Sequence, residues 1–211
     1  MARERLRLRT IKECSSYVGY YWARKSTIGE AMLPAQVREA MQEDAAAIAR
    51  VHVDSWRTSY RSIVPESFLA DMSYKDFEDR WRGWLQSIGD SRFTYRVAEL
   101  PSGQIVGFAS GGPRQGSAYA DYAAELYALY LLREHQRAGI GLRLFGSVAG
   151  ALAEGGSTSL LAWVLASNPS RRFYETVGGR LLGSQEIEIG EARLEEVAYG
   201  WQDIESIASL G

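Results

Sequence analysis

The densest chemistry in this chain lies between Glu125 and Leu142, which reads E-L-Y-A-L-Y-L-L-R-E-H-Q-R-A-G-I-G-L. Its second half sets Gln136, Arg137 and two glycines, Gly139 and Gly141, directly before a segment of helical period. A glycine-containing turn that enters a helix N-terminus offers several unpaired backbone N–H groups at one point. Glycine lets a bound group come close to that backbone, and the helix dipole favours negative charge there. The turn therefore reads as an anion cradle, although glycine pairs before helices also serve plain packing. It is neither the G-x-G-x-x-G dinucleotide fingerprint nor a P-loop, because no Lys-Ser or Lys-Thr follows the second glycine. Farther on, Asn168-Pro169-Ser170-Arg171-Arg172-Phe173-Tyr174 brings an amide, two cations and a phenol into one short segment. His52 and His135 lie far apart with no cysteine at ligand spacing, so no metal site is expected.

Periodicity supplies the elements that must position these groups. Leu126 to Leu132 is an apolar run of strand length. Leu142 to Ala153 continues the glycine turn as a helix, with Leu142, Phe145, Ala149 and Leu152 on one stripe. Gly146 and Gly150 within it suggest close packing on a sheet. Ser159 to Ala166 reads as a buried strand, and Asn168 then caps a helix that Pro169 opens and Gly178-Gly179 stops. Two last strands fall near residues 180–189 and 192–201. Upstream, Val37 to Ala40 is a short first strand, and Asp44 is the expected N-cap of an Ala-rich helix through about Asp54. Ile48, Val51 and Ser55 form its inner face, and His52 reads as a packed or surface helix residue. Trp56 and Tyr60 follow at i, i+4, a spacing that suits core aromatics and a pocket wall equally. Ser73-Tyr74-Lys75-Asp76 resembles a capping box ahead of an aromatic core stripe, Phe77, Trp81, Trp84, Leu85 and Ile88. Arg92 to Glu99 and Gln104 to Ser110 form a hairpin about Pro101-Ser102-Gly103, and Gly111 to Gly116 reads as a flexible loop.

Composition narrows the function classes. With 211 residues, 46% of them apolar and 24% charged, the chain suits one globular domain with a sizeable core. A formal net charge of −2 gives no general attraction to nucleic acid. The single cysteine, Cys14, excludes an internal disulfide and fits a reducing, cytoplasmic setting. No stretch is apolar for long enough to span a membrane. Residues 1–31 carry Arg3, Arg5, Arg7, Arg9, Lys12, Arg24 and Lys25 against Glu4, Glu13 and Glu30, a charge of +4 beside −6 for the remainder. They read as a basic N-terminal extension without chemistry of its own, ahead of a single domain over residues 32–211; Met32 is an alternative start.

Two motifs together carry a family resemblance. Gln136-Arg137-Ala138-Gly139-Ile140-Gly141 resembles the Q/R-x-x-G-x-G/A turn of the GNAT superfamily of N-acetyltransferases. Asn168 to Gly178 resembles the second cofactor motif of that family, N-x-x-x-x-F-Y-x-x-x-G, and begins 32 residues after Gln136 with one helix and one strand between. The resemblance covers about Val37 to Trp201. The segment from Ser55 to Pro65, S-W-R-x-x-Y-x-x-I-V-P, is similar to one found in a subset of small bacterial members, where it walls the acceptor pocket. Arg133 stands where a proline is frequent and Gly179 where an aromatic often follows; residues 1–31 have no counterpart.

The resemblance implies an α/β (α+β) fold: a central mixed, mostly antiparallel sheet, splayed between its fourth and fifth strands, with helices on both faces. It implies acetyl-CoA as acetyl donor, no metal, and direct attack by an amine in a ternary complex. Backbone groups of Leu129, Tyr130 and Leu131 would meet the pantetheine arm and thioester. Gln136, Arg137, Ala138, Gly139, Ile140, Gly141 and Leu142 would hold the pyrophosphate. Asn168 would bind pantetheine, and Arg171 would reach the phosphates. Tyr174 is placed to protonate the leaving thiolate. Glu125, eleven residues before Gln136, is the expected general base; along a regular strand it shares a face with Tyr127, Leu129 and Leu131. Trp56, Tyr60 and His52 would line the acceptor pocket. The acceptor is expected to be a small primary amine, with a protein or peptide acceptor, or a non-catalytic acyl-CoA sensor, as alternatives. No nucleic acid or membrane partner is expected, and a homodimer is left open.

Overall fold

The computed structural model describes residues 35–210, so the expectations for residues 1–31 lie outside the described residues. Four antiparallel strands come first: β1 (Gln36–Glu39), β2 (Thr94–Glu99), β3 (Ile105–Pro113) and β4 (Ala124–Leu131). β5 (Leu160–Leu165) lies parallel to β4, and β7 (Ala192–Trp201) runs antiparallel between β5 and β6 (Arg180–Ile189). The seven-stranded order is therefore β1-β2-β3-β4-β5-β7-β6. The parallel pairing covers only Ala124 to Leu126 against Leu160 to Ala162, after which β4 runs on to Leu131 and β5 to Leu165 without pairing. This is the expected splay between the fourth and fifth strands.

Strand alternation decides which helix covers which face. Val97, Ile105 and Phe108 point toward Ile48, Val51, Trp81 and Leu85, beneath α1 (Ala45–Ser59) and α3 (Tyr74–Trp84). Ala98, Ala109, Leu126 and Ala162 pack with Leu144, Phe145, Val148 and Leu152 of α4 (Ile140–Glu154) on the other face. Each Val, Leu, Ile or Phe among them contributes about 1.5–3 kcal/mol on burial. Short helices α2 (Glu66–Asp71), α5 (Arg171–Thr176) and α6 (Glu205–Ala208) complete the layers. Among the described residues no helix is long and apolar enough to cross a membrane.

Several local expectations need correction. α1 runs to Ser59 rather than Asp54, with Ser55 buried on its inner face and Tyr60 N–H closing the last turn on Trp56 O. Asp44 does not cap it: the carboxylate accepts from Met41 N at 2.8 Å and pairs with Arg38. Ser73 does cap α3, accepting from Asp76 N–H, but Trp84 is 46% exposed, set against the edge of Trp81 at the margin of the stripe. Gly111 and Gly112 belong to β3 rather than to a flexible loop. A Cβ on Gly111 would lie 2.9 Å from Glu125 O, and one on Gly112 2.7 Å from the Phe93 ring, so close approach of neighbours explains these glycines. In α4, Leu142 is only half-buried while Leu144 and Val148 are fully buried, and Gly150 faces Ala208 of α6, not the sheet. α5 begins at Arg171, after a turn in which Asn168 Oδ1 accepts from Ser170 N–H at 2.9 Å. It ends with Gly178 at φ +80°, where Gly179 N–H bonds Tyr174 O and Gly178 N–H bonds Glu175 O.

Candidate active site

One extra residue in β4 shapes the site. β3 pairs Ser110 with Ala128 but Gly111 with Leu126, so Tyr127 is a bulge. Before it Ala124 and Leu126 face α4; after it Leu129 and Leu131 do, while Ala128 and Tyr130 pack toward α1. Glu125 therefore shares its face with Tyr130 and not with Leu129 and Leu131, which corrects the expectation for a regular strand. Past the bulge the unpaired edges of β4 and β5 bound a cleft lined by Leu129, Tyr130, Leu131, Gln136, Asn168 and Tyr174. Tyr60, Ser59, Tyr127, Trp163, Val164 and Ser170 also line it.

At the cleft's end the glycine turn has the geometry of an anion nest. Arg137 has φ +64° and Gly139 φ +76°, with Ala138 between them outside the positive range. Alternating hands of backbone turn successive N–H groups toward a common point. Among the described residues the N–H groups from Arg137 to Leu142 meet no protein acceptor. Nothing lies within 4 Å of a Cβ built on Gly139, so space stands open above the turn. Gly141 is needed for another reason: its Cβ would press on Leu131 at 3.2 Å. Gln136 donates through Nε2 to Leu131 O, tying the nest to the end of β4. Arg137 is exposed beside it. Arg171 instead turns inward, donating to Ala166 O and pairing with Glu175.

The splay lets phenols from both faces of the sheet meet. Tyr174 of α5 is buried against Phe145, Trp201 and the stacked ring of Tyr199 on the α4 side. Tyr60 caps α1 and Tyr130 stands on β4, with their oxygens 3.3 Å apart on the α1 side. Burial, and then the proximity of Tyr60, pushes the Tyr174 phenol well above its ordinary range. Burial pushes Tyr130 well above that range too, and raises Tyr60. All three therefore remain protonated donors at neutral pH, which suits an acid better than a base.

Glu125 is not among the residues that line the cleft; it stands half-buried ahead of the bulge, with Oε2 accepting from Gln115 N–H at 2.9 Å. Burial raises its pKa, against the opposing pull of that N–H and of Arg114. A raised carboxylate is a stronger base once ionised. Glu196 on β7 was not singled out in the sequence. Its negative charge bears on both Glu125 and Tyr60, and Gln185 holds its Oε1 at 2.7 Å. The period-two pattern of its strand was the only signal available.

Beyond Tyr60 the S-W-R-x-x-Y segment builds a wall. Arg57 donates to Leu69 O and Met72 O, fastening the chain around α2 to α1. Trp56 packs against Tyr60 and Phe68, with its Nε1 buried and unpartnered. His52 lies behind this wall and does not line the cleft. Its ring sits among Phe77, Trp81, Phe108 and Tyr130, and its Nδ1 accepts from Trp81 Nε1. Burial, and then Arg80, lowers its pKa to about 4, so the ring is neutral and closely packed. The tip of the β6–β7 hairpin closes the far side: Phe68 of α2 lies 3.3 Å from a Cβ built on Gly190, and Ile187, Ile189 and Leu194 join the same apolar cluster as Tyr60 and Leu165.

Comparison with known proteins agrees with this architecture. A family profile described as FR47-like protein matches residues 106–187. The chain is 41% identical over 174 residues to the uncharacterized N-acetyltransferase YuaI of Bacillus subtilis (strain 168), covering 82% of this chain and 96% of that one. The crystal structure of PaiA N-acetyltransferase from Thermoplasma acidophilum in complex with coenzyme A superposes with a TM-score of 0.62 at 18% identity, over 78% of this chain and 98% of that one. The YncA structure from Salmonella typhimurium, a putative acetyltransferase with its cofactor acetyl-CoA, gives 0.62 at 19% identity, over 81% and 94%.

Proposed function

The chain belongs to the GNAT superfamily of N-acetyltransferases, and from its cleft we propose that it moves an acetyl group from acetyl-CoA to a primary amine of a small molecule. The observation that favours a small acceptor is the contact of the β6–β7 hairpin with α2, which walls the α1 side of the cleft. A groove for a polypeptide chain would need to stay open at both ends there.

The nest from Gln136 to Leu142 fits a pyrophosphate: it offers converging N–H groups, a cation at Arg137 and open space above Gly139. Leu129, Tyr130 and Leu131 offer backbone groups along the unpaired edge of β4 to the pantetheine arm, and Asn168 faces them from the end of β5. Holding the thioester there converts a bimolecular attack into an oriented one. Glu125 takes the proton of the attacking amine, directly or through water, and Tyr174 gives its proton to the leaving thiolate sulfur. Arg171, committed to Ala166 O and Glu175, contributes to the phosphates only as a nearby charge.

The test is a release assay for free thiol, run with acetyl-CoA against a panel of small amines and a panel of peptides. Turnover with small amines and none with peptides is the expected result. Turnover confined to peptides would overturn the small-acceptor reading, and acetyl-CoA binding without turnover on either panel would overturn transfer itself.

A further inference from the structure

Every residue of β5 is buried except Trp163, which is half-open and lines the cleft. β4 and β5 last pair at Leu126 and Ala162, so Trp163 is the first residue of β5 beyond the fork of the splay. Leu160, Ala162 and Val164 pack toward α4, which puts Trp163 with Leu161 and Leu165 on the α1 side. Its ring is fixed against that of Tyr119 in the β3–β4 loop, 5.7 Å away. Tyr119 holds a left-handed backbone, φ +54°, which a non-glycine residue keeps only where its surroundings impose it. Its phenol oxygen lies over β6, 2.5 Å from where a Cβ on Gly183 would stand.

The charge beside this indole is negative. β7 sets Ala198 opposite Trp163 and Glu196 opposite Leu165, so Glu196 is a diagonal neighbour of Trp163 on the same face, within reach of an aromatic side chain. Gln185 Nε2 holds its Oε1 at 2.7 Å, and its charge bears on Tyr60, a phenol of the same cleft. The cation that bears on Glu125, Arg114, donates to the Gln115, Gly116 and Ala118 carbonyls of the loop. Among the described residues no Lys, Arg or His lines the cleft. An open indole face beside a carboxylate attracts a cation, whereas an anionic group would meet no partner of opposite charge there.

We propose that Trp163 and Glu196 form a cation subsite of the acceptor cleft, and that the acetylated amine belongs to a molecule with a second positive charge, a diamine or polyamine, rather than to an amino acid. This rests on the acetyl-transfer reading above and narrows its acceptor. The second ammonium lies over the indole face with Glu196 as its counter-ion, and the first amine is left to approach the thioester along the unpaired edge of β4.

The experiment uses the full chain, thiol release, and amines that share an alkyl chain and differ only at the far end. Diaminobutane, butylamine and aminobutanoate form one set, and diaminohexane, hexylamine and aminohexanoate a longer one. In at least one set the diamine should exceed the monoamine about tenfold or more in kcat/KM, well beyond the statistical gain of its two equivalent ends, and the amino acid should be slowest. Trp163→Leu removes the ring face, and Glu196→Gln removes the charge while keeping the side chain's shape. Each should bring the diamine-to-monoamine ratio toward unity, chiefly through the KM for the diamine, with the calorimetric affinity for acetyl-CoA retained. A wild-type chain that acetylates the monoamine or the amino acid as well as the diamine at both lengths would overturn the subsite and leave acetyl transfer standing. A ratio that survives either substitution in a folded variant would overturn it too. A wild-type chain that binds acetyl-CoA and acetylates no amine would overturn both readings. If Trp163→Leu does not fold, Glu196→Gln decides: loss of the ratio supports the subsite, and a constant ratio overturns it.

Discussion

Acid should weaken this fold through one imidazole, by an amount its surroundings set. His52 is enclosed by Trp56 of its own helix, Phe77 and Trp81 of α3, Phe108 of β3 and Tyr130 of β4. Its Nδ1 accepts from Trp81 Nε1 at 3.2 Å, a bond that only the neutral ring can accept. Burial, followed by the positive charge of Arg80, carries the pKa from 6.5 down to about 4. The unfolded chain takes up this proton near 6.5 and the folded protein only near 4. Its stabilising effect is therefore complete above pH 6.5, declines as pH falls toward 4, and stays lost below. At about 1.4 kcal/mol per pH unit across that window the loss reaches about 3 kcal/mol, against a typical margin of about 5–15 kcal/mol. Urea unfolding of the wild type and of His52→Gln between pH 7.5 and 4 measures it. The difference between the two should shift by about 3 kcal/mol in favour of the variant. The subtraction removes other groups that titrate there, such as Glu125, which burial raises. Stability curves that stay parallel over the whole range would refute the reasoning.

Gly139→Asp places bulk and a like charge in the nest; acetyl-CoA binding by calorimetry should be lost while the fold survives, with the melting temperature lowered by the strain of a side chain at φ +76°. Tyr174→Phe should lower turnover about 10²–10⁴-fold with both binding constants little changed, if proton donation to sulfur limits the rate. Glu125→Gln should show a defect that shrinks as pH rises and the amine loses its proton unaided; wild-type activity at every pH would remove Glu125 as the base. A chain beginning at Met32 should fold and bind acetyl-CoA as the full chain does, read by calorimetry, if residues 1–31 carry no chemistry.

The motifs were legible because their chemistry is local. Gln136 to Gly141 and Asn168 to Gly178 each depend on a turn and its neighbouring helix, and both stand where the sequence puts them. The hairpin of β6 and β7 was visible to the residue, since Gly190 supplies the positive φ at its tip. What escaped depends on contacts between distant segments. The glycines of β3 look like a loop until Glu125, Phe93 and Tyr127 are seen pressing on them. Trp56, Tyr60 and His52 are alike as helix-spaced rings, yet Tyr60 lines the cleft while His52 is packed behind Tyr130. Glu196 lies more than sixty positions from Glu125 in the chain and meets its field only through the pairing of β4, β5 and β7.

The bulge at Tyr127 joins the two halves of the site. A regular β4 would carry Glu125, Tyr127, Leu129 and Leu131 on one face and turn Tyr130 toward α4 with Leu126. Tyr130 could not then reach Tyr60, and the aromatic stack with His52 and Phe108 would be lost. Leu131 would leave its place against Gly107 and Gly141, where a Cβ would stand 2.5 Å and 3.2 Å from its side chain. Gln136, which reaches back to Leu131 O, would lose its register with the strand end. One inserted residue therefore sets both the seat of the nest and the facing of the phenol pair. The anion cradle on the α4 side and the acceptor wall on the α1 side are held in register by a single irregularity of the strand between them.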